Sequence, residues 1–91
     1  MLKTLEELIN IIRQRKHSSN EKSYTNKLLS DKKLSVDKVK EEISELLEAI
    51  EANSNKVHET ADVLYHLMVL LEANNIKIED VMDELKKRKK K

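Results

Sequence analysis

Two pairs of acidic residues, Glu42-x-x-Glu45 and Glu59-x-x-Asp62, have a spacing that could do chemistry. Residues three apart are neighbours on a helix surface, so each pair can aim two carboxylates at one point. If the two helices pack antiparallel, the pairs face one another. Oxygen-only donors of this kind suit a hard divalent cation, Mg²⁺ or else Mn²⁺, and such an ion is what a phosphate-bearing substrate needs. The second pair lies in "HETADVLYHLMVLL" at 58–71, where Glu59, Asp62 and His66 share one stripe of a largely apolar helix. A carboxylate in apolar surroundings is costly unless a cation or hydrogen bonds compensate it. On spacing alone a plainer reading stays open: "EEISELLE" at 41–48 is a solvated helix face, and His66 a hydrogen-bonded core histidine.

Helices must position these side chains. The first is expected over 4–16, with Thr4 and Glu7 as a capping box and Leu5, Leu8, Ile9 and Ile12 as its apolar stripe. Arg13, Arg15 and Lys16 fall in its last turn, where they complement the helix dipole. "HSSNEKS" at 17–23 reads as a polar loop, and a short helix at 24–31 is anchored by Leu28 and Leu29. The third helix is expected over 36–52 with Ser35 as N-cap. Val36, Val39, Ile43, Leu46, Leu47 and Ile50 span an arc of about 100° on it. Glu42 lies at the edge of that arc and Glu45 one step beyond, with Glu41 and Glu48 towards water. "NSN" at 53–55 ends this helix and caps the next, at 56–73, which closes on Asn74 and Asn75 as left-handed C-cap residues. A last amphipathic helix at 78–89 carries Val81, Met82 and Leu85 and runs into a solvated "KKRKKK". The expectation is an all-α bundle of four to five helices, one domain over 1–91.

Composition narrows the function classes. The chain has no Gly, Pro, Cys, Trp or Phe, so its links must be built from Asn, Ser and Lys. Charged residues make up 38%, yet the net charge is +1, and the terminal lysines lack interleaved aromatics, so no nucleic-acid partner is expected. No apolar run reaches the roughly 18 residues of a membrane helix, and no signal-peptide pattern opens the chain. The lack of cysteine fits a reducing compartment, and a cytoplasmic location is expected. A helix as apolar as 58–71 needs more cover than so short a chain readily offers, so self-association is expected.

The segments "LEELINIIRQRK" at 5–16, "SYTNKLL" at 23–29, "KVKEEISE" at 38–45, "ETADVLYHLMVLL" at 59–71 and "IEDVMDELKKR" at 78–88 occur in an order that resembles a known family. EExxE followed by ExxD is similar to the MazG-type all-α nucleotide pyrophosphohydrolases, and the full set of segments resembles phosphoribosyl-ATP pyrophosphohydrolases. The resemblance implies an intertwined homodimer with sites near the interface. It also implies Mg²⁺-dependent cleavage of phosphoribosyl-ATP to phosphoribosyl-AMP and pyrophosphate, the second step of histidine biosynthesis. In that frame Glu42, Glu45, Glu59 and Asp62 hold the metal, and Glu41 or Glu42 positions or deprotonates the attacking water. Arg15, Lys16, Lys27 and Lys38 are candidate phosphate contacts, and Tyr24 and Thr25 match the substrate segment. His66, one turn beyond Asp62, orients a ligand or packs at the interface. Two departures stand out: Lys40 where the family has Gly, and "SNEK" at 19–22 where Pro and Gly are usual. The alternatives are a house-cleaning nucleoside triphosphate pyrophosphohydrolase of the same superfamily, and a non-enzymatic helical dimerisation module.

Overall fold

A chain without glycine has to reverse direction on asparagine, the side chain that best tolerates the left-handed region. In the computed structural model, which describes residues 1–17 and 23–89, the positive-φ positions are Asn53 (54°), Asn55 (53°) and Asn75 (57°). The helices are α1 (Lys3–Lys16), α2 (Tyr24–Ser30), α3 (Lys32–Ala52), α4 (Lys56–Ala73) and α5 (Ile78–Arg88), and these asparagines turn the chain between α3 and α4 and between α4 and α5. The described residues are helical and turn, as expected for an all-α bundle. The polar loop lies mostly outside the described residues, as do the "SNEK" departure at 19–22 and the last two lysines.

Four cap assignments differ from expectation, among them Asn55, which precedes α4 at φ 53° but makes no side-chain cap bond. The first helix starts at Lys3 behind Leu2, which makes no side-chain cap, so Thr4 and Glu7 sit inside the helix and form no capping box. At an exposed chain end water satisfies the first N–H groups, and a cap is dispensable. The third helix begins four residues early. Asp31, as good an N-cap as serine, intervenes first, and its carboxylate accepts from Leu34 N at 3.0 Å. Ser35 is therefore helical and 1% exposed, a small residue inside the bundle. At the end of α4 only Asn75 is left-handed; Asn74 has φ −106° and its amide donates to the Leu70 carbonyl at 2.9 Å.

The core joins α1, α2 and α4 through Ile9, Ile12, Leu28, Met68 and Val69. Leu28 and Val69 are fully buried. Leu28→Ala is expected to cost about 2–5 kcal/mol, because a short helix held by one deep anchor leaves a cavity that cannot collapse. Urea denaturation measures it. Arg13 leaves the helix dipole for a larger task. Its Nε donates to Glu72 at 3.1 Å and its two terminal nitrogens to Glu79 at 2.9 and 2.6 Å, tying α1 to the end of α4 and to α5. The Arg13 guanidinium holds the Glu79 carboxyl down to about 2.

The longest pairing is α3 against α4. The arc read along the third helix divides. Val39 turns inward with Ser35 and Ala49, whereas Val36, Ile43, Leu47 and Ile50 remain 37–56% exposed. The interior side of α3 is thus centred nearer Glu42 than the apolar arc implied. Helix α4, expected to lack cover, is covered on one side: His66, Met68, Val69 and Ala73 are buried within the chain, whereas Val57 and Leu64 remain exposed. Among the described helices α3 carries the longest exposed apolar stripe.

Candidate active site

The short Asn53–Asn55 turn sends α4 back along α3, so residues equally far from the turn meet. Inward-facing positions on α3 include Glu42 and Glu45, and on α4 Glu59 and Asp62. The structure brings together carboxylate oxygens of Glu42, Glu45 and Glu59, all within 4.8 Å of one another. Asp62 joins through Glu59: His58, Glu59 and Asp62 also present ligand atoms within 4.8 Å. All four acids are half-buried. Glu42 Oε2 and Glu59 Oε2 are buried with no hydrogen-bond partner among the described residues. Burial pushes the Glu42 carboxyl above its usual range; its contact with the Glu45 carboxyl and that group's charge push it further, against a smaller opposing effect of His66. Such an arrangement is unfavourable when ionised and unfilled, and favourable around a cation.

Glu41 stands outside the cluster, exposed, with its carboxylate 3.1 Å from Lys38 Nζ. That contact raises the Lys38 ammonium above its ordinary value. Across from them lies the N-terminus of α2, capped by Ser23, whose Oγ accepts from Asn26 N at 3.0 Å. The Tyr24 hydroxyl is 3.1 Å from His66 Nε2, and His66 Nδ1 is 2.8 Å from the Asp62 carbonyl. Thr25 Oγ1 meets the Tyr65 hydroxyl. The two tyrosine rings lie nearly parallel, 6.4 Å apart, with His66 edge-on to both.

The basic candidates separate. Lys38 lies beside Glu41, next to the cluster and outside it. Lys16 lies elsewhere: its Nζ donates to the Glu72 carbonyl and to Asn75 Oδ1, both at 2.6 Å, at the far end of α4. Arg15 and Lys27 are exposed, and Arg15 lends its carbonyl to the Asn26 amide. Lys40 is also exposed. His58 and Tyr65 are site neighbours that the sequence reading did not single out. His58 Nε2 is 3.5 Å from Asp62 Oδ2. Its signal was present in the sequence as the i, i+4 spacing from Asp62.

Comparison with known proteins bears on what this site serves. A family profile described as phosphoribosyl-ATP pyrophosphohydrolase matches residues 5–89. A phosphoribosyl-ATP pyrophosphatase of Metallosphaera sedula is 44% identical over 93 residues, covering 99% of this chain and all of the relative. One from Clostridium novyi is 44% identical over 93 residues, covering 96% of this chain and 82% of its own length. A histidine biosynthesis bifunctional protein of Pyrococcus furiosus is 43% identical over 98% of this chain, which spans only 43% of that longer protein. With the acid pairs in place and a match running almost from end to end, the chain belongs to the phosphoribosyl-ATP pyrophosphohydrolase family.

Proposed function

We propose that the protein hydrolyses phosphoribosyl-ATP to phosphoribosyl-AMP and pyrophosphate, in the second step of histidine biosynthesis. The family match over 5–89 carries this reading, and the carboxylate cluster gives it a mechanism. The donor set fits Mg²⁺, with Mn²⁺ as the alternative: oxygen ligands from two helices, two of them buried without partners. Glu42, Glu45, Glu59 and Asp62 would hold the ion. When bound, it supplies neutralisation of the charge developing on phosphate oxygens. Glu41, free of the cluster, accepts a proton from the attacking water, and Lys38 beside it meets a phosphate oxygen. The working form is proposed to be a cytoplasmic homodimer closed through the exposed face of α3. The direct test is incubation with phosphoribosyl-ATP and Mg²⁺ and detection of pyrophosphate, beside the same assay on deoxynucleoside triphosphates. Pyrophosphate from the latter substrates alone sinks the assignment in favour of house-cleaning.

Metal should also stabilise the fold. By mass action, saturation to one hundred times the dissociation constant adds about 2.7 kcal/mol. The pH dependence has a definite sign. The Glu42 carboxyl is raised in the folded state, so its contribution to metal-free stability is present at low pH and is lost as pH rises through its folded value. Metal binding needs the ionised carboxylates. The gain in Tm on adding Mg²⁺ is therefore expected to grow as pH rises from the carboxylate range towards neutrality. Identical melting with Mg²⁺ and with a chelator at neutral pH would show that the cluster holds no ion.

A further inference from the structure

His66 is 8% exposed, so it is poorly placed to touch a substrate itself. Its two ring nitrogens are nonetheless both engaged. Nδ1 lies 2.8 Å from the Asp62 carbonyl, one turn back on α4. A carbonyl oxygen can only accept, so Nδ1 must carry the hydrogen. In the neutral ring Nε2 then holds a lone pair, and the Tyr24 hydroxyl at 3.1 Å must donate to it. With the ring neutral, direction is set at both steps: Nδ1–H to the Asp62 carbonyl, and the Tyr24 O–H to Nε2. Tyr24 has spent its single O–H on His66, and it offers only lone pairs to anything beyond. Among the described residues the only hydrogen-bond partner of the Tyr24 hydroxyl is His66 Nε2, while Lys38 Nζ donates to Glu41 at 3.1 Å. Tyr24 is 47% exposed, whereas its partner histidine is buried.

From this geometry we infer that Asp62, His66 and Tyr24 form a one-way hydrogen-bond relay, so that Tyr24 meets the substrate as an acceptor and selects a ribose hydroxyl, not a phosphate oxygen. An acceptor cannot bond a phosphate oxygen, which has no hydrogen at neutral pH; a sugar hydroxyl can donate. The relay places this acceptor one imidazole beyond the carbonyl of a proposed metal ligand, and the sugar adjoining the scissile triphosphate carries the donors nearest the reacting bond. Tyr24 is then a specificity-determining residue. His66 is a positioning residue, fixing both the Tyr24 hydroxyl and the helical turn that presents Asp62. A site built to bond a hydroxyl rejects an analogue lacking it.

The inference rests on the functional reading above, and the experiment separates the two. Long-range ¹H–¹⁵N spectra of the full-length protein at neutral pH should show His66 protonated at Nδ1 and unprotonated at Nε2. A ring protonated at Nε2, alone or together with Nδ1, overturns the relay whatever the activity assay shows. In kinetics, Tyr24→Phe should raise KM for phosphoribosyl-ATP about tenfold, the worth of one neutral hydrogen bond, with a smaller fall in kcat. The wild type should prefer phosphoribosyl-ATP over its 2′- or 3′-deoxy analogue, altered in the ribose next to the triphosphate, by a similar factor, and Tyr24→Phe should erase that preference. His66→Asn keeps a donor for the Asp62 carbonyl, as Asn74 does for Leu70, but cannot reach Tyr24. Within the Tyr24→Phe background it should shift KM by less than about twofold, because partners in one network are not additive. Additive effects, or a deoxy preference that survives Tyr24→Phe, overturn the inference. If the wild type turns over no phosphoribosyl-ATP, the functional reading fails, and the tautomer still decides the relay.

Discussion

Glu59→Gln and Asp62→Asn are each expected to lower turnover of phosphoribosyl-ATP by about 10²–10³ at saturating Mg²⁺, the loss typical when one preorganised electrostatic group is removed. Both substitutions preserve shape and delete one negative charge from the donor set. Their effects on the metal-free fold should differ. Glu59 keeps a buried oxygen with no partner, close to the Glu42 and Glu45 carboxylates. A glutamine amide there can donate to those neighbours, so the metal-free Tm should rise. Asp62 is 40% exposed at its side chain and already faces His58, so Asp62→Asn should change the metal-free Tm less. A salt-bridge role predicts the opposite pattern, with lower stability and no hydrolysis to lose. Asp37→Asn is the control. Asp37 lies on the same helix but is exposed and paired only with Lys33, so stability should move by no more than about 0.5 kcal/mol. Near wild-type hydrolysis in both isosteric variants would remove the acids from the metal site.

The reason these acids could be read from sequence is geometric. Three-residue spacing fixes direction on a helix, and a turn of three residues fixes the register of the partner helix. Helix α4 was legible to the residue because asparagines bracket it on both sides. The start of α3 was not, since Ser35 and Asp31 are chemically equivalent caps and nothing local says that Ser35 is needed inside the bundle. The same limit applied to the basic residues. Lys16 and Lys38 look alike as cations in a sequence; packing sends Lys16 to the end of α4, whereas Lys38 keeps a local i,i+3 partner in Glu41 on its own helix. The tautomer of His66 was illegible for a related reason. It depends on Tyr24, 42 positions away, and on a backbone carbonyl that carries no sequence signal.

Leu47→Glu is expected to weaken self-association by about 10²–10⁴-fold. The protein should sediment as a dimer at micromolar concentration, because Val36, Ile43, Leu47 and Ile50 leave a continuous apolar stripe of α3 uncovered. Leu47 is the most exposed of the four, at 56%, so its burial must come from a second chain if it comes at all. Covering one large aliphatic side chain contributes about 1.5–3 kcal/mol, and each protomer provides one, giving about 3–6 kcal/mol per dimer and hence the fold-change expected. The introduced carboxylate adds a desolvation cost on the same side. A second exposed apolar strip, Met82 and Leu85 on α5, supplies the comparison. It is short and interrupted by Asp83 and Glu84, so Met82→Glu should shift association far less. Because α3 carries the stripe on one side and Glu42 and Glu45 towards α4, separation of the chains should also loosen the cluster and reduce the Mg²⁺-dependent gain in Tm. Sedimentation velocity decides the matter. A 10.6 kDa species at every micromolar concentration, or a dimer that Leu47→Glu leaves intact while Met82→Glu dissociates it, would move the interface away from α3.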